Sequence, residues 1–406
     1  MQPDSLASAA ATPTHTTGRL QYIDIAKGIA ILAVIIGHAA IRLTGLSHGA
    51  ATIVAVCFTF HMPLFFLLSG YFLHYERPFN WKKEAKRLVV PYIVAALVIV
   101  ILEALTTFFL RDQPQGMSLR RYVAEWLNAA VFGAASLTGK ELWPQVFRIG
   151  AIWFLLALFW ARLFVTCSCK TRYSGIFVLI LALAGSASAR YIYLPFSIQA
   201  GMTASIYVYL GTLARKYDVM NYLRSHKLVL IPALLIWLYA ILHYTGFGMG
   251  TADFGATPLD IARNLIGSLG GMVSIVIISM YIEQLGHWVA PHLAEIGRIS
   301  LLILVVHIID DDVTRIDAMN LFLLSSGLGA FKLAILDSVS GAHTPCSYHS
   351  CSSAFPLSAG SSACSRLRSR RNNSLPTCRN VCKQSHAYTR HVIYGQALQS
   401  FWQLFS

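Results

Sequence analysis

The stretch IDIAKGIAILAVIIGHAA, residues 23–40, decides the fold. It is long enough to cross a bilayer as a helix, and only Asp24, Lys27 and His38 interrupt its apolar run. Such a segment reads as a transmembrane helix rather than a helix of a soluble core. Its ionisable groups then need a reason, because a charge at membrane depth is costly and faces a polar cavity or a functional site. At 100° per residue, Lys27 and His38 fall on one helix face, roughly 16 Å apart along the axis. Asp24 precedes Lys27 by about one turn on a similar azimuth. Asp24 and Lys27 read equally as a salt-bridged helix end, and His38 as a packing histidine or a functional one.

Composition extends the membrane reading to the whole chain. Hydrophobic residues are 56% of 406 and charged residues only 12%, about half the supply of a soluble domain. Lipid is therefore the solvent for much of the protein. The formal charge of +14 has two sources. Residues 337–406 hold seven Lys and Arg against the single acid Asp337. Much of the rest lies in short loops between apolar runs, as expected of cytoplasmic loops. No soluble basic domain is visible, which argues against nucleic-acid binding. No cysteine spacing resembles a zinc module, and no metal is expected.

Apolar runs of spanning length recur at 21–43, 52–73, 89–110, 149–166, 175–194, 198–214, 228–246, 264–282 and 299–316, with a tenth from 321 to 336. The expected fold is all-α: a polytopic membrane protein of about ten helices, the tenth cut short. Residues 1–18 are small and polar without a basic n-region and read as a disordered cytoplasmic leader rather than a cleavable signal. The membrane domain spans 19–336. The Ser-, Cys- and Arg-rich segment 337–406 suits neither a bilayer nor a compact core. It reads as a frame-shifted or truncated coding sequence, or as a disordered cytoplasmic tail. Basic loops after the second, fourth and sixth runs imply a cytoplasmic N-terminus, and the cell's inner membrane is the expected location. Segment 111–148 breaks this alternation, and its 122–132 stretch is expected to lie in the interface.

The second run contains FHMPLFFLLSGYFL, residues 60–73. Pro63 removes a backbone donor and is expected to kink the helix, while Ser69 and Gly70 permit close helix approach. His61 just before Pro63 is a candidate for lining a cavity. These two segments are followed by Lys86-Arg87-Leu88, by Pro91-Tyr92 and by Ile152-Trp153-Phe154-Leu155. IGRISLLILVVH, residues 296–307, closes the series. In that order they resemble the membrane-bound acyltransferase 3 family, over about residues 19–336. The family's usual first-helix pair is an arginine followed by ten residues and a histidine. Lys27 stands in the arginine's place, which is similar to the fucose 4-O-acetylase-like branch. Lysine is a point charge where arginine is a fork, so bidentate anion binding is not expected there.

The resemblance implies transfer of an acyl group, usually acetyl from acetyl-CoA, to a hydroxyl of an exported or cell-surface glycan or glycan-lipid. A sugar hydroxyl needs a base near neutral pH, which imidazole provides. His38 is the expected base, with Lys27 and Asp24 completing the catalytic set. Lys27 is expected either to stabilise the oxyanion or, given its distance from His38, to hold the donor. Arg87 and Arg298 suit donor binding, and His61, Ser69, Ser300 and His307 suit lining of the substrate cavity. The expected partners are membrane lipid, the acyl-CoA donor and the glycan acceptor; nothing in the sequence signals an oligomeric state. A rival reading is a transporter or flippase for a glycan intermediate. Transporters often carry internal repeats, and neither the His38 segment nor FHMPLFF has a second copy. A further rival, an inactive membrane subunit, gains weight if the missing part of the tenth helix is needed to close the fold.

Overall fold

The computed structural model describes residues 20–41, 43–44, 47–109 and 117–314. The leader 1–18, the tenth run at 321–336 and the 337–406 tail lie outside the described residues. In chain order the helices are α1 (Gln21–Ile41), α2 (His48–Tyr71), α3 (Trp81–Glu84), α4 (Val90–Phe109), α5 (Leu119–Phe132), α6 (Trp153–Ser168) and α7 (Ser174–Ala189). They continue with α8 (Ile198–Lys216), α9 (Val219–Ser225), α10 (Leu230–Leu242), α11 (Pro258–Leu285), α12 (Val289–Arg298) and α13 (Ser300–Thr314). A π-helical turn, Ala85–Val89, joins α3 to α4. The described residues form no strand, only isolated bridges such as Glu141 with Tyr193.

Each of the nine complete runs expected from the sequence coincides with a helix, and the tenth lies outside the described residues. Five helical segments of the described residues are long and apolar enough to cross a bilayer, or up to seven if each bent pair counts once. The physical reasons are length and polarity. α7 has 16 residues, about 24 Å of helix against roughly 30 Å of hydrocarbon. α10 qualifies only together with α9, from which it bends by 95°. α12 and α13 likewise form a pair bent by 67°. α8 is long enough, but its buried face carries Gln199, Thr203, Ser205 and Thr212. Those polar groups are enclosed by protein, because α8 packs against α2, α6 and α7.

Glycine sets the tightest crossings. A Cβ on Gly70 would strike the Val208 carbonyl oxygen, and one on Gly211 would strike that of Leu67. The α2–α8 crossing is therefore backbone on backbone from both sides. α1 and α12 repeat the arrangement, with Gly28 against the Leu293 carbonyl and Gly297 against that of Asp24.

α5 buries Tyr122, Trp126, Ala129 and Phe132, spaced to share one face, against α4 and the following loop. It is the amphipathic piece expected at 122–132. α11 begins at a capping box, in which Thr257 and Asp260 bond each other's backbone and Pro258 opens the helix.

Candidate functional site

α1 and α2 run antiparallel and meet along their length, so pairs between them act as a ruler. Lys27 lies 5.8 Å from the centroid of the Phe72 ring, while the His38 ring is 5.9 Å from that of Phe58. Phe58 and Phe72 stand roughly 21 Å apart along α2. The separation of Lys27 from His38 expected from helix geometry therefore holds in the folded molecule. They occupy two levels of the bundle.

At the upper level, α13 brings His307 beside His38. The ring centroids are 5.4 Å apart and the planes tilted by 47°. Both residues are half-buried, and the Nε2 of His307 is enclosed within the bundle. Phe58 touches His38 and also His61, at 5.0 Å between the latter rings. His61 itself is buried, with its Nδ1 bonded to the Cys57 carbonyl at 2.6 Å. It sits within α2, which continues through Pro63 to Tyr71. Of the expected cavity-lining residues, His307 joins His38 directly and His61 meets Phe58. Ser300 lies two turns below His307, about 10 Å along α13.

The lower level gathers charge. Lys27 Nζ stands 3.5 Å from Asp24 Oδ1, and Asp24 is buried. Arg162 Nε and Nη2 donate to the two carboxylate oxygens of Glu84, each at 2.9 Å. Arg162 Nη1 donates to the Ser69 carbonyl at 3.1 Å and to Ser69 Oγ at 2.9 Å. The guanidinium thus ties α6 to α2 and to the end of α3, where the π-helical turn begins. Arg87 projects from that turn, exposed and within electrostatic reach of Arg162 and Glu84. Arg298, exposed on the outer side of α12, pairs with Glu295 one turn earlier. Nearby, Glu283 accepts from the Tyr22 backbone N–H and from Arg224, both at 3.0 Å. These contacts put the N-terminal end of α1 and the C-terminal ends of α2 and α11 at one end of the bundle.

The Arg162–Glu84 pair is a functional candidate that the sequence reading missed. Its signal was present: Arg162 is the sole charged residue in the 149–166 run. A partner for Glu103, deep in α4, also becomes visible. Tyr122 Oη donates to Glu103 Oε2 at 2.6 Å and accepts from Thr107 Oγ1 at 3.0 Å. Burial, then the Glu103 charge, hold the Tyr122 phenol above its ordinary range.

Chemically the upper level offers paired imidazoles, able to take a proton and to donate a hydrogen bond. The lower level offers cations for an anionic ligand. A family model described as an acyltransferase domain matches residues 20–316, which hold both levels. No curated protein and no solved structure matches the chain.

Proposed function

Since the chain belongs to the acyltransferase 3 family, a family of multi-pass membrane acyltransferases, we propose that it moves acetyl from acetyl-CoA to a hydroxyl of an exported or cell-surface glycan. The observation that carries this reading is the imidazole pair within the bundle, a half-buried His38 with His307 at 5.4 Å between ring centroids. His38 takes the proton of the acceptor hydroxyl as its oxygen attacks the thioester carbon. Lys27 and Arg87, at the lower level, bind the phosphates or pantetheine arm of the donor. Asp24 holds the Lys27 ammonium in place, and Arg298 adds positive charge at the same end. Ser69, bonded to Arg162, shapes the floor between the levels, while Ser300 lines the acceptor's approach and His61 packs behind Phe58, which touches His38.

The lysine at position 27 suits the fucose 4-O-acetylase-like branch, which makes a deoxyhexose-containing glycan the favoured acceptor. The charge of the loops supports a cytoplasmic N-terminus in the inner membrane, with the donor arriving at the Lys27 end.

The test is thiol release from acetyl-CoA by membranes holding the protein, together with the O-acetyl content of surface glycans. His38→Ala is expected to lower both by about 10²–10⁴-fold at equal protein level, the usual worth of a general base. Equal release by wild type and His38→Ala would overturn the assignment of the base. A transporter or flippase would release no thiol in either form.

A further inference from the structure

We infer that His307 is a second catalytic residue, whose ring N–H holds the oxyanion that forms when the acceptor hydroxyl attacks the acyl thioester. This rests on the acyl-transfer reading above and deepens it.

The need for such a donor comes from the geometry. Attack on a thioester carbonyl puts negative charge on the carbonyl oxygen, and a donor placed there in advance lowers the barrier. Lys27, the cation on His38's own helix face, is roughly 16 Å away along the axis and cannot reach the same carbonyl. Its ammonium is also turned toward Asp24 and the Phe72 ring. His61 has its Nδ1 on the Cys57 carbonyl and meets Phe58 rather than His38. His307 is in ring contact with His38, at 5.4 Å between centroids; the residue is half-buried, with its Nε2 enclosed within the bundle.

The spacing fits the two jobs. In the tetrahedral intermediate the attacking oxygen and the oxyanion are bonded to one carbon. Two hydrogen bonds of about 2.8 Å, one to each oxygen, place their ring nitrogens roughly 5–7 Å apart. With centroids 5.4 Å apart and planes tilted by 47°, the two rings hold their nitrogens within a few ångström of that spacing.

Each atom is accounted for. The acceptor O–H bond breaks and its proton passes to a ring nitrogen of His38, while the oxygen forms a bond to the carbonyl carbon. The carbonyl π electrons become the oxyanion lone pair, which accepts from the His307 N–H without taking its proton. When the carbonyl re-forms, the C–S bond breaks and the thiolate leaves with the proton that His38 held. The products are an ester and a free thiol, and both imidazoles return neutral. A neutral His307 suits the step better than a cationic one, because His38 becomes an imidazolium beside it.

The experiment uses the full chain in liposomes or native membranes, with acetyl-CoA as donor and thiol release as readout, alongside glycan O-acetyl content. The variants are His307→Leu, which donates nothing, His307→Asn, which keeps an N–H, and His38→Ala as reference. His307→Leu is expected to lower kcat by about 10²–10³-fold, the cost of one lost oxyanion donor. Its KM for acetyl-CoA should stay within about threefold, since the interaction is made only in the transition state. His307→Asn should recover at least tenfold of the loss. If His307→Leu does not accumulate, His307→Phe keeps a ring against His38 and carries the same expectation. The inference is overturned if the variant without a donor stays within threefold of wild type, or if the leucine and asparagine variants lose activity equally with the thermal midpoint intact. Either result leaves His38 as the base. Full activity of His38→Ala would instead remove the acyl-transfer chemistry on which the inference stands.

Discussion

Lys27 and His38 show how far a single residue's role can be read from its place on a helix. Their common face and their separation follow from 1.5 Å of rise and 100° of turn per residue, and the aromatic contacts to Phe72 and Phe58 repeat that separation on α2. What one helix could not reveal is its neighbour. The closeness of His38 to His307 joins positions far apart in the sequence, and no local periodicity encodes it. The same holds for Glu84 and Arg162: a lone arginine in an apolar run demands a counter-charge, yet the run does not say which acid supplies it. At this scale the roles proposed for the two levels separate experimentally. Lys27→Met is expected to raise the KM for acetyl-CoA about tenfold, in keeping with one lost charge-assisted contact, while kcat falls less than about threefold. Titrating acetyl-CoA in the thiol-release assay measures both. A kcat collapse at unchanged KM would return Lys27 to the reacting carbonyl.

Between elements, backbone contact and a buried ion pair do most of the fixing. Gly70 and Gly211 let α2 and α8 touch backbone to backbone, so a larger residue must push the helices apart. Gly211→Val is expected to destabilise by at least 1–3 kcal/mol, roughly the cost of overpacking a core, seen as a lower thermal midpoint in detergent. Gly139, whose Cβ would meet nothing within 4 Å, is the control site for added bulk, although its left-handed φ of 71° makes any side chain there mildly strained. The Arg162–Glu84 contact behaves differently, because removing one partner leaves a buried charge behind. Glu84→Gln is expected to cost about 3–5 kcal/mol, and adding Arg162→Met should recover a large part of it. Additive losses in the double variant would show that the two side chains act independently. The elements themselves were readable: each complete apolar run became a helix. The bends between α9 and α10 and between α12 and α13 were not, since a bend of 67° leaves composition unchanged.

For the molecule as a whole, the alternation of loop charge is what supports the proposed orientation. Cys167, exposed at the C-terminal end of α6, reports on it. With Cys167 as the sole remaining cysteine, a membrane-impermeant maleimide is expected to label only after cells are permeabilised. Labelling of intact cells would invert the proposed topology. By length and composition, five to seven segments of the described residues qualify as spans, and the tenth expected run lies outside those residues. Hydropathy treats apolar runs alike, whereas α7 has only 16 residues and α8 turns a polar face toward its neighbours. Spans are defined by what surrounds a helix as much as by what it contains.

Glu103 carries a consequence for how the chain is made. The ribosome delivers α4 before α5, so this acid reaches the insertion machinery before Tyr122 has been synthesised. A charged side chain near the centre of an inserting helix costs on the order of 3 kcal/mol. Within the segment that bears it, Trp81–Phe108, an 18-residue stretch reaches a mean hydropathy of 2.7, the highest among the five qualifying spans. That surplus of greasy side chains carries the carboxyl into lipid until its phenol arrives. Polar changes on the lipid-facing side of this one helix would therefore be felt at birth, as failed insertion, sooner than as a loosened mature protein.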